Sequence, residues 1–410
     1  MANLTRVAQV MAEYTNHHQM SGWLIAGGGL AGSLLAARLR VLAPELRVTV
    51  IEQGRRIGGS PERTWSFFGT DLSPGQATWV RPLVERTWDG YEVRFPRYNR
   101  ELRTPYHSVR SDSFHDNLEP MLGRLFRFGT KIREVGPDHV ILDDGTTLQA
   151  DVVIDARGWE PVRNLRCGFQ KFTGIDFRLE RPHGLTRPLV MDATVEQNDG
   201  FRFVYLIPWS PTEILVEDTR YSDSPALDPE RDSAANRAYA RARGWEVSAE
   251  IRRESGVLPV PTRPVETPEH SVASIGLRGG FYHPTTSYSL PLAARLADEL
   301  ARLAAAGRQT TESVRAHVAA LARRHRASGA YARFLNRMLF EAAAPERRHL
   351  VLQRFYGLPE PLIERFYAGT ATWPDRVRIL AGKPPVPVLR AMRCLLPAGG
   401  SLRSGDMEVT

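Results

Sequence analysis

The chain has 410 residues, 42% hydrophobic and 24% charged, enough to bury a large core divided between domains. Its two cysteines, Cys167 and Cys394, lie far apart and can build neither a disulfide framework nor a cysteine-based zinc site, which fits a reducing cytoplasm. The formal net charge is +8, yet no aromatic-interleaved basic motif accompanies it, so nucleic acid is not an expected partner. No uncharged apolar run reaches the ~18 residues of a membrane span.

Residues 1–20 are polar, carry His17 and His18, and read as a disordered leader detached from the first strand; Met20 is an alternative start. The run Trp23-Leu24-Ile25-Ala26 then predicts a strand, Gly27-Gly28-Gly29-Leu30-Ala31-Gly32 a turn, and Ser33 to Leu39 a helix. A second strand, Val48-Thr49-Val50-Ile51, ends in Glu52. This order is that of a dinucleotide site. Gly27 permits the tight turn, Gly29 lets the backbone approach a pyrophosphate, and Gly32 lets helix and strand pack closely. The helix N-terminus offers unpaired N–H groups to phosphates, and Glu52 offers a carboxylate to ribose hydroxyls. The bland alternative is a βαβ unit that binds nothing.

An aromatic, turn-rich segment runs from Gly58 to Tyr98 and includes Arg63-Thr64-Trp65-Ser66-Phe67-Phe68. His139 to Leu142 and Thr147-Leu148 read as a hairpin around Asp143-Asp144-Gly145. Ala150 to Gly158 reads as an apolar strand that ends beside a ligand, with Gly158 touching it. Antiparallel strands are expected at Leu189–Val195, Phe201–Pro208 and Glu213–Arg220. Ala273–Leu277 reads as a further strand passing Gly276, then Gly279-Gly280, into His283-Pro284-Thr285-Thr286-Ser287-Tyr288. Helical patterns come next at about 290–306, 310–327, 330–342, 346–356 and 360–380, with a last short helix after Pro387. From Arg295 to Arg354 twelve arginines face five acids, a local excess that suits an anionic lipid surface, although solvated helix faces explain it equally.

The expected fold is α/β: a Rossmann-like dinucleotide-binding domain with an inserted antiparallel-sheet substrate domain and a C-terminal helical region. The cofactor domain is discontinuous, over 21–75, 100–160 and 271–306. The substrate domain takes 76–99 and 161–270, and the helical region 307–410.

Several stretches together resemble the bacterial lycopene β-cyclases, carotenoid-forming flavoproteins, over about Leu24 to Leu389. They are Met191-Asp192-Ala193-Thr194-Val195, Phe201-Arg202-Phe203-Val204-Tyr205, Glu217-Asp218-Thr219, His283-Pro284-Thr285-Thr286, Phe334 to Phe340, Arg354 to Pro359, and Gly382 to Pro387. The resemblance implies FAD held reduced, NAD(P)H as the reductant, and no net redox change. Lycopene and related acyclic carotenoids are the implied substrates, their ψ-ends becoming β-ionone rings in γ-carotene and β-carotene. A hydrocarbon substrate implies a protein of the bacterial cytoplasm, peripherally associated with the cytoplasmic membrane. No metal is expected.

Such a reaction needs a carboxyl that stays protonated beside an alkene, hence a buried one. The family's motif selects Glu217. Strand alternation selects Asp218, which shares a face with Ile214 and Val216, whereas Glu217 shares one with Glu213 and Leu215. Both acids could instead be partners of Arg202 or Arg220. His283 is read either as a group that orients the flavin or relays a proton, or as a hydrogen-bonded structural residue. Thr285, Thr286 and Ser287 precede a helix whose N–H groups could hold the anionic edge of the flavin ring. Gly27, Gly28, Gly29, Leu30, Ala31, Gly32, Glu52, Gly158 and Gly276 complete the cofactor set, and Trp65 and Ser66 are expected to line the site.

Three departures from the family pattern stand out. Arg63 replaces a His after an insertion at Ser60-Pro61-Glu62, Ser287 replaces a Gly, and Gly276-Leu277 stands where many related flavoproteins have Gly-Asp. Competing readings are a monooxygenase or polyprenyl reductase acting on a lipophilic substrate, or a lipid-binding protein with a vestigial cofactor site.

Overall fold

The computed structural model describes residues 22–59, 62–159, 166–264, 272–307, 310–382 and 386–394. The leader over 1–20 and the Ser60-Pro61 part of the insertion lie outside these residues.

A five-stranded parallel sheet organises the first half. Its order is Ala273–Ser274, Val152–Asp155, Trp23–Ala26, Val48–Ile51, Phe126–Arg127. Strands buried on both faces read as continuous apolar runs, which is why Trp23–Ala26, Val48–Ile51 and Val152–Asp155 are visible in sequence. One face carries the helices Leu30–Leu42 and Leu290–Ala305, whose Leu34, Leu35, Leu39, Leu296 and Leu300 pack with Ile25, Val50 and Ile154. The other carries the antiparallel strands Ile132–Val135, His139–Leu142 and Thr147–Gln149. The strand expected at Ala273–Leu277 is only two residues long, because Gly276 at φ +62° turns the chain away.

A seven-stranded sheet forms the second layer. Its order is Val247–Pro261, Cys167–Leu179, Glu213–Ser222, Phe201–Pro208, Leu189–Asp192, Tyr91–Phe95, Tyr98–Leu102. All neighbours are antiparallel except Leu189–Asp192 with Tyr91–Phe95. Both faces are covered. Helix Pro229–Ala242 packs over Ile175, Phe177, Val204, Leu206, Ile214 and Val216, tied down by Asn236 Nδ2, which donates to Thr173 O at 2.8 Å. The opposite face, through Phe201, Phe203 and Leu215, shares a core with Phe68, Tyr106 and Trp88 of a small antiparallel sheet, Thr64–Phe68, Tyr106–Arg110, Arg86–Trp88, and with Tyr356 and Leu362 of the C-terminal helices.

The helical pattern expected over 360–380 is two helices, Glu360–Tyr367 and Trp373–Leu380. Gly369 at φ +71° breaks it, and Thr372 restarts it through a reciprocal cap with Asp375. The stretch expected over 330–342 is α-helical to Arg337 and ends in a π-helical turn, Met338–Ala342.

Candidate active site

A cavity of about 850 Å³ runs between the two sheets. Gly27, Gly29, Leu30, Ala31 and Glu52 contribute one part of its wall, and Phe172, Tyr205, Leu215, Glu217 and Leu258 another.

The glycine turn is built as its residue types require. Gly27 sits at φ +105°, and a Cβ there would lie 2.9 Å from the backbone of Ala156 and Arg157. A Cβ on Gly32 would lie 2.0 Å from Gly27 O, so this helix can rest on its strand only with glycine there. By contrast, no atom of the described residues beyond the chain neighbours lies within 4 Å of the Cβ position at Gly29 or Gly158, and both line the cavity. Gly276 rests against Ala31, whose Cβ lies 2.7 Å from its own Cβ position. Glu52 accepts from Gly28 N and Gly54 N, both at 2.7 Å, which fixes its carboxylate against the turn. Gly28 itself does not line the cavity; it packs against Phe126 and Glu52. Two uncluttered glycines, a helix N-terminus and an anchored acid fit the pyrophosphate and ribose of a dinucleotide.

The turn before helix Leu290–Ala305 differs from expectation in its donors. The N–H groups of Thr285 and Thr286 point at His283 Nδ1, each at 3.3 Å, and Ser287 N donates to His283 O at 2.8 Å. The donors left without a partner among the described residues belong to Tyr288, Ser289 and Leu290, one step further along. Thr285 is also absent from the cavity wall, while Thr286 and Ser287 are part of it. Ser287 holds φ +58°, the conformation that suits glycine, with its Oγ donating to Pro259 O at 3.3 Å.

His283 orders that turn. Its Nδ1 receives the two N–H groups and pairs with Thr286 Oγ1 at 3.0 Å, so its Nε2 carries the proton and donates to Phe366 O at 3.1 Å. Burial pushes the imidazole down to about 4. It lines not the large cavity but a smaller one of about 140 Å³, with Asp71, Arg295 and His325. These contacts match the structural reading of this histidine.

The two candidate acids point opposite ways. Asp218 is 0% exposed and lies beneath helix Pro229–Ala242. There it accepts from Arg202 Nε at 2.8 Å and meets Arg220 Nη1 at 3.0 Å. Alternation correctly marks it as buried, but what it faces is an ion-pair cluster with Asp232. Glu217 faces the cavity and is partly exposed to it. Its Oε1 accepts from Thr219 Oγ1 at 2.8 Å.

Glu217 has a neighbour that sequence reading misses. In register across the sheet stand Tyr205, Glu217, Gly174 and Glu254. Gly174 has no side chain to separate the two acids; a Cβ there would meet Glu254 Cγ at 3.2 Å and Glu217 Cβ at 3.3 Å. Glu254 is 4% exposed, with Arg252 Nη2 at 3.5 Å, and Arg252 is itself committed to Asp176 at 2.7 Å and to Thr64 Oγ1 at 2.6 Å. Burial, then the negative charge of Glu254, hold the Glu217 carboxyl up at about 8, against the pull of Thr219 and Arg252. Glu254 is also raised, chiefly by burial. Arg63 faces both acids, and its Nη1 donates to Ser255 O at 3.0 Å.

Aromatic walls close this part of the cavity. Trp65 and Ser66 line it as expected, joined by Tyr106, Phe172, Tyr205 and Tyr288, none of which sequence reasoning singles out. Tyr106 Oη lies 3.3 Å from Tyr288 Oη. Tyr205 is within reach of sequence reasoning, because it alternates with Phe203 and Ile207 on one face of its strand. Glu254 is not: Arg252-Arg253-Glu254 reads as a solvated charge run.

Comparison with known proteins places this geometry. The family described as lycopene cyclase protein matches residues 23–393. The chain is 44% identical over 377 residues to the lycopene beta-cyclase of Paracoccus sp. (strain N81106 / MBIC 01143), covering 91% of this chain and 96% of that one. It is 43% identical over 376 residues to the lycopene beta-cyclase of Pantoea ananas, covering 91% and 97%. Among solved structures, it is similar to a geranylgeranyl bacteriochlorophyll reductase-like protein of Thermoplasma acidophilum. That match has a TM-score of 0.58 and 13% identity, covering 89% of this chain and 97% of that one. A flavin-dependent brominase matches with TM-score 0.58 at 15% identity, covering 88% and 98%. At such identities the structures speak for the fold alone.

Proposed function

Since the chain belongs to the lycopene cyclase family, we infer that it is a lycopene β-cyclase, which turns the acyclic ψ-ends of lycopene into β-ionone rings. The observation that carries the chemistry is a raised carboxyl, Glu217, in the same aromatic-walled cavity as a dinucleotide turn.

FAD is the dinucleotide this reading calls for. Gly27, Gly29, Leu30, Ala31 and Glu52 would hold its ADP half, and Gly158, Gly276, Thr286, Ser287 and the free N–H groups of Tyr288 to Leu290 its flavin side. Held there in its reduced form, with NAD(P)H as the reductant, FAD would supply negative charge to stabilise a carbocation.

The protein's own groups do the rest. Glu217 gives its proton to the terminal double bond, which it can do at neutral pH because burial and Glu254 keep it protonated. The resulting cation closes the six-membered ring and then loses a proton, so atoms and electrons balance without net oxidation. Tyr106, Phe172, Tyr205 and Tyr288 exclude water and offer π faces to the cation. Asp218, neutralised by two arginines beneath the sheet, holds the strand rather than the substrate. His283 positions the turn of Thr285 to Ser287.

Lycopene partitions into membranes, so a peripheral protein of the cytoplasmic membrane surface fits this substrate. No helix among the described residues is long and apolar enough to cross a membrane. Expression in lycopene-accumulating bacteria tests the function: cyclic carotenoids are expected, and unchanged lycopene refutes it. A monooxygenase or reductase would consume NAD(P)H in proportion to product, whereas this enzyme should need it only to reduce its flavin.

A further inference from the structure

Exposed large hydrophobic side chains gather at the C-terminal end of the described residues. Trp373 is 74% exposed, Val377 49%, Leu380 40%, Leu389 77% and Met392 57%. Trp373, Val377 and Leu380 are spaced four and three apart, so they share one face of helix Trp373–Leu380. Leu389 and Met392 share a face of helix Val388–Arg393 in the same way. The other side of the first helix is committed to protein. Asp375 pairs with Arg365 at 2.6 Å, Tyr331 Oη donates to Arg376 O at 2.9 Å, and Ile379 packs on the aromatic core.

The exposed charges on these two helices have one sign, and the exposed acid beside the second, Glu341, is paired with Arg263. Arg378, Arg390 and Arg393 are exposed, and the one acid among the described residues from 373 onward, Asp375, is buried in its ion pair. Solvent-facing tryptophan and aliphatic groups ringed by arginine complement an anionic lipid surface.

We propose that helices Trp373–Leu380 and Val388–Arg393 form the face by which this protein lies on an anionic bilayer, apolar side chains in the acyl boundary and arginines among the headgroups. The proposal deepens the cyclase reading and rests on it for the reason a bilayer is visited at all. The face is also joined to the site. Ala371 and Arg376 line the smaller cavity, and Tyr288 lines both that cavity and the large one.

The test is flotation of the full chain with vesicles of phosphatidylcholine alone or with about one-third phosphatidylglycerol. Wild type is expected to float with the anionic vesicles and to be released by salt. Trp373→Ala combined with Leu389→Glu should weaken partition by at least about tenfold, and Arg390→Glu with Arg393→Glu should remove the preference for anionic lipid. Both variants should cyclise lycopene in detergent micelles as wild type does, since they touch neither cavity. Undiminished flotation of the first variant, or no flotation of wild type, overturns the proposal. A wild type that is dimeric in solution and dissociated by the first variant overturns it in favour of a second copy. A wild type that floats as expected but converts no lycopene overturns the cyclase reading and supports the surface.

Discussion

Replacing Glu254 by Gln removes one of the two carboxyls that flank Gly174 while preserving its size. The strands bearing Glu217 and Glu254 each lie about 4.8 Å from the strand between them. Both side chains flank Gly174, whose Cβ position lies 3.3 Å from Glu217 Cβ and 3.2 Å from Glu254 Cγ. At an effective dielectric near 20, two unit charges about 7 Å apart repel by roughly 2.4 kcal/mol. Arg252, 3.5 Å from Glu254, offsets part of this, leaving about one pKa unit of influence on Glu217. The sign is set by the protonation state that works. Glu217, held up at about 8, carries its proton below that pH, and turnover falls as pH rises through it. In E254Q that alkaline limb should move down by about one pH unit, cutting kcat several-fold near pH 8 and leaving it nearly unchanged near pH 6. The assay is turnover of lycopene in detergent micelles, profiled from about pH 6 to about pH 9 with the flavin content of each preparation measured. A limb that stays where wild type has it, in a variant with normal flavin content, refutes the coupling.

The same geometry sets the outcome for four further variants. Glu217→Gln should lower kcat by roughly 10²- to 10⁴-fold with flavin retained. It should also melt above wild type near pH 8 but not near pH 4, because a folded carboxyl at about 8 against an ordinary value of 4.5 loses stability as pH rises between the two. Gly158→Ala, with open space at its Cβ position, should fold normally and retain less flavin on dialysis. Gly27→Ala, driven into the backbone of Ala156 at φ +105°, should lose both soluble yield and flavin. Asp218→Asn should destabilise by on the order of 3 kcal/mol in urea, since Arg202 and Arg220 lose their buried partner, with turnover per folded molecule unchanged.

The first βαβ unit, its Glu52 and the strand Val152–Asp155 are legible because both faces of each strand are apolar and the turn needs glycine. The strands Phe201–Pro208 and Glu213–Ser222 are legible for their runs of Phe, Val, Ile and Leu. The long partners Cys167–Leu179 and Val247–Pro261 are not, since they carry Lys171, Asp176, Arg252 and Glu254 inside the protein. Lys171 is satisfied by Asp199, and Asp176 and Arg252 by each other, partners distant in sequence that no local pattern announces. Alternation misleads at Glu217 and Asp218 for a related reason. It assumes one wet face, and this strand has a helix on one side and a cavity on the other.

The row of Tyr205, Glu217, Gly174 and Glu254 has a consequence for assembly. Adjacent residues on a strand face opposite ways, so a slip of one position in Glu213–Ser222 would bring either Asp218 or Val216 into the place of Glu217, with Thr219 or Glu217 moving into the place of Asp218. Either slipped chain would turn Ile214 and Val216 out from beneath helix Pro229–Ala242; the first would also leave Arg202 without its carboxylate and put a shorter arm in the cavity, and the second would put no carboxyl there at all. Proofreading of the sheet is thus written into the same two neighbouring acids. A misthreaded copy is penalised in stability before it could ever meet a substrate, so the population that survives folding is the one whose proton donor points the right way.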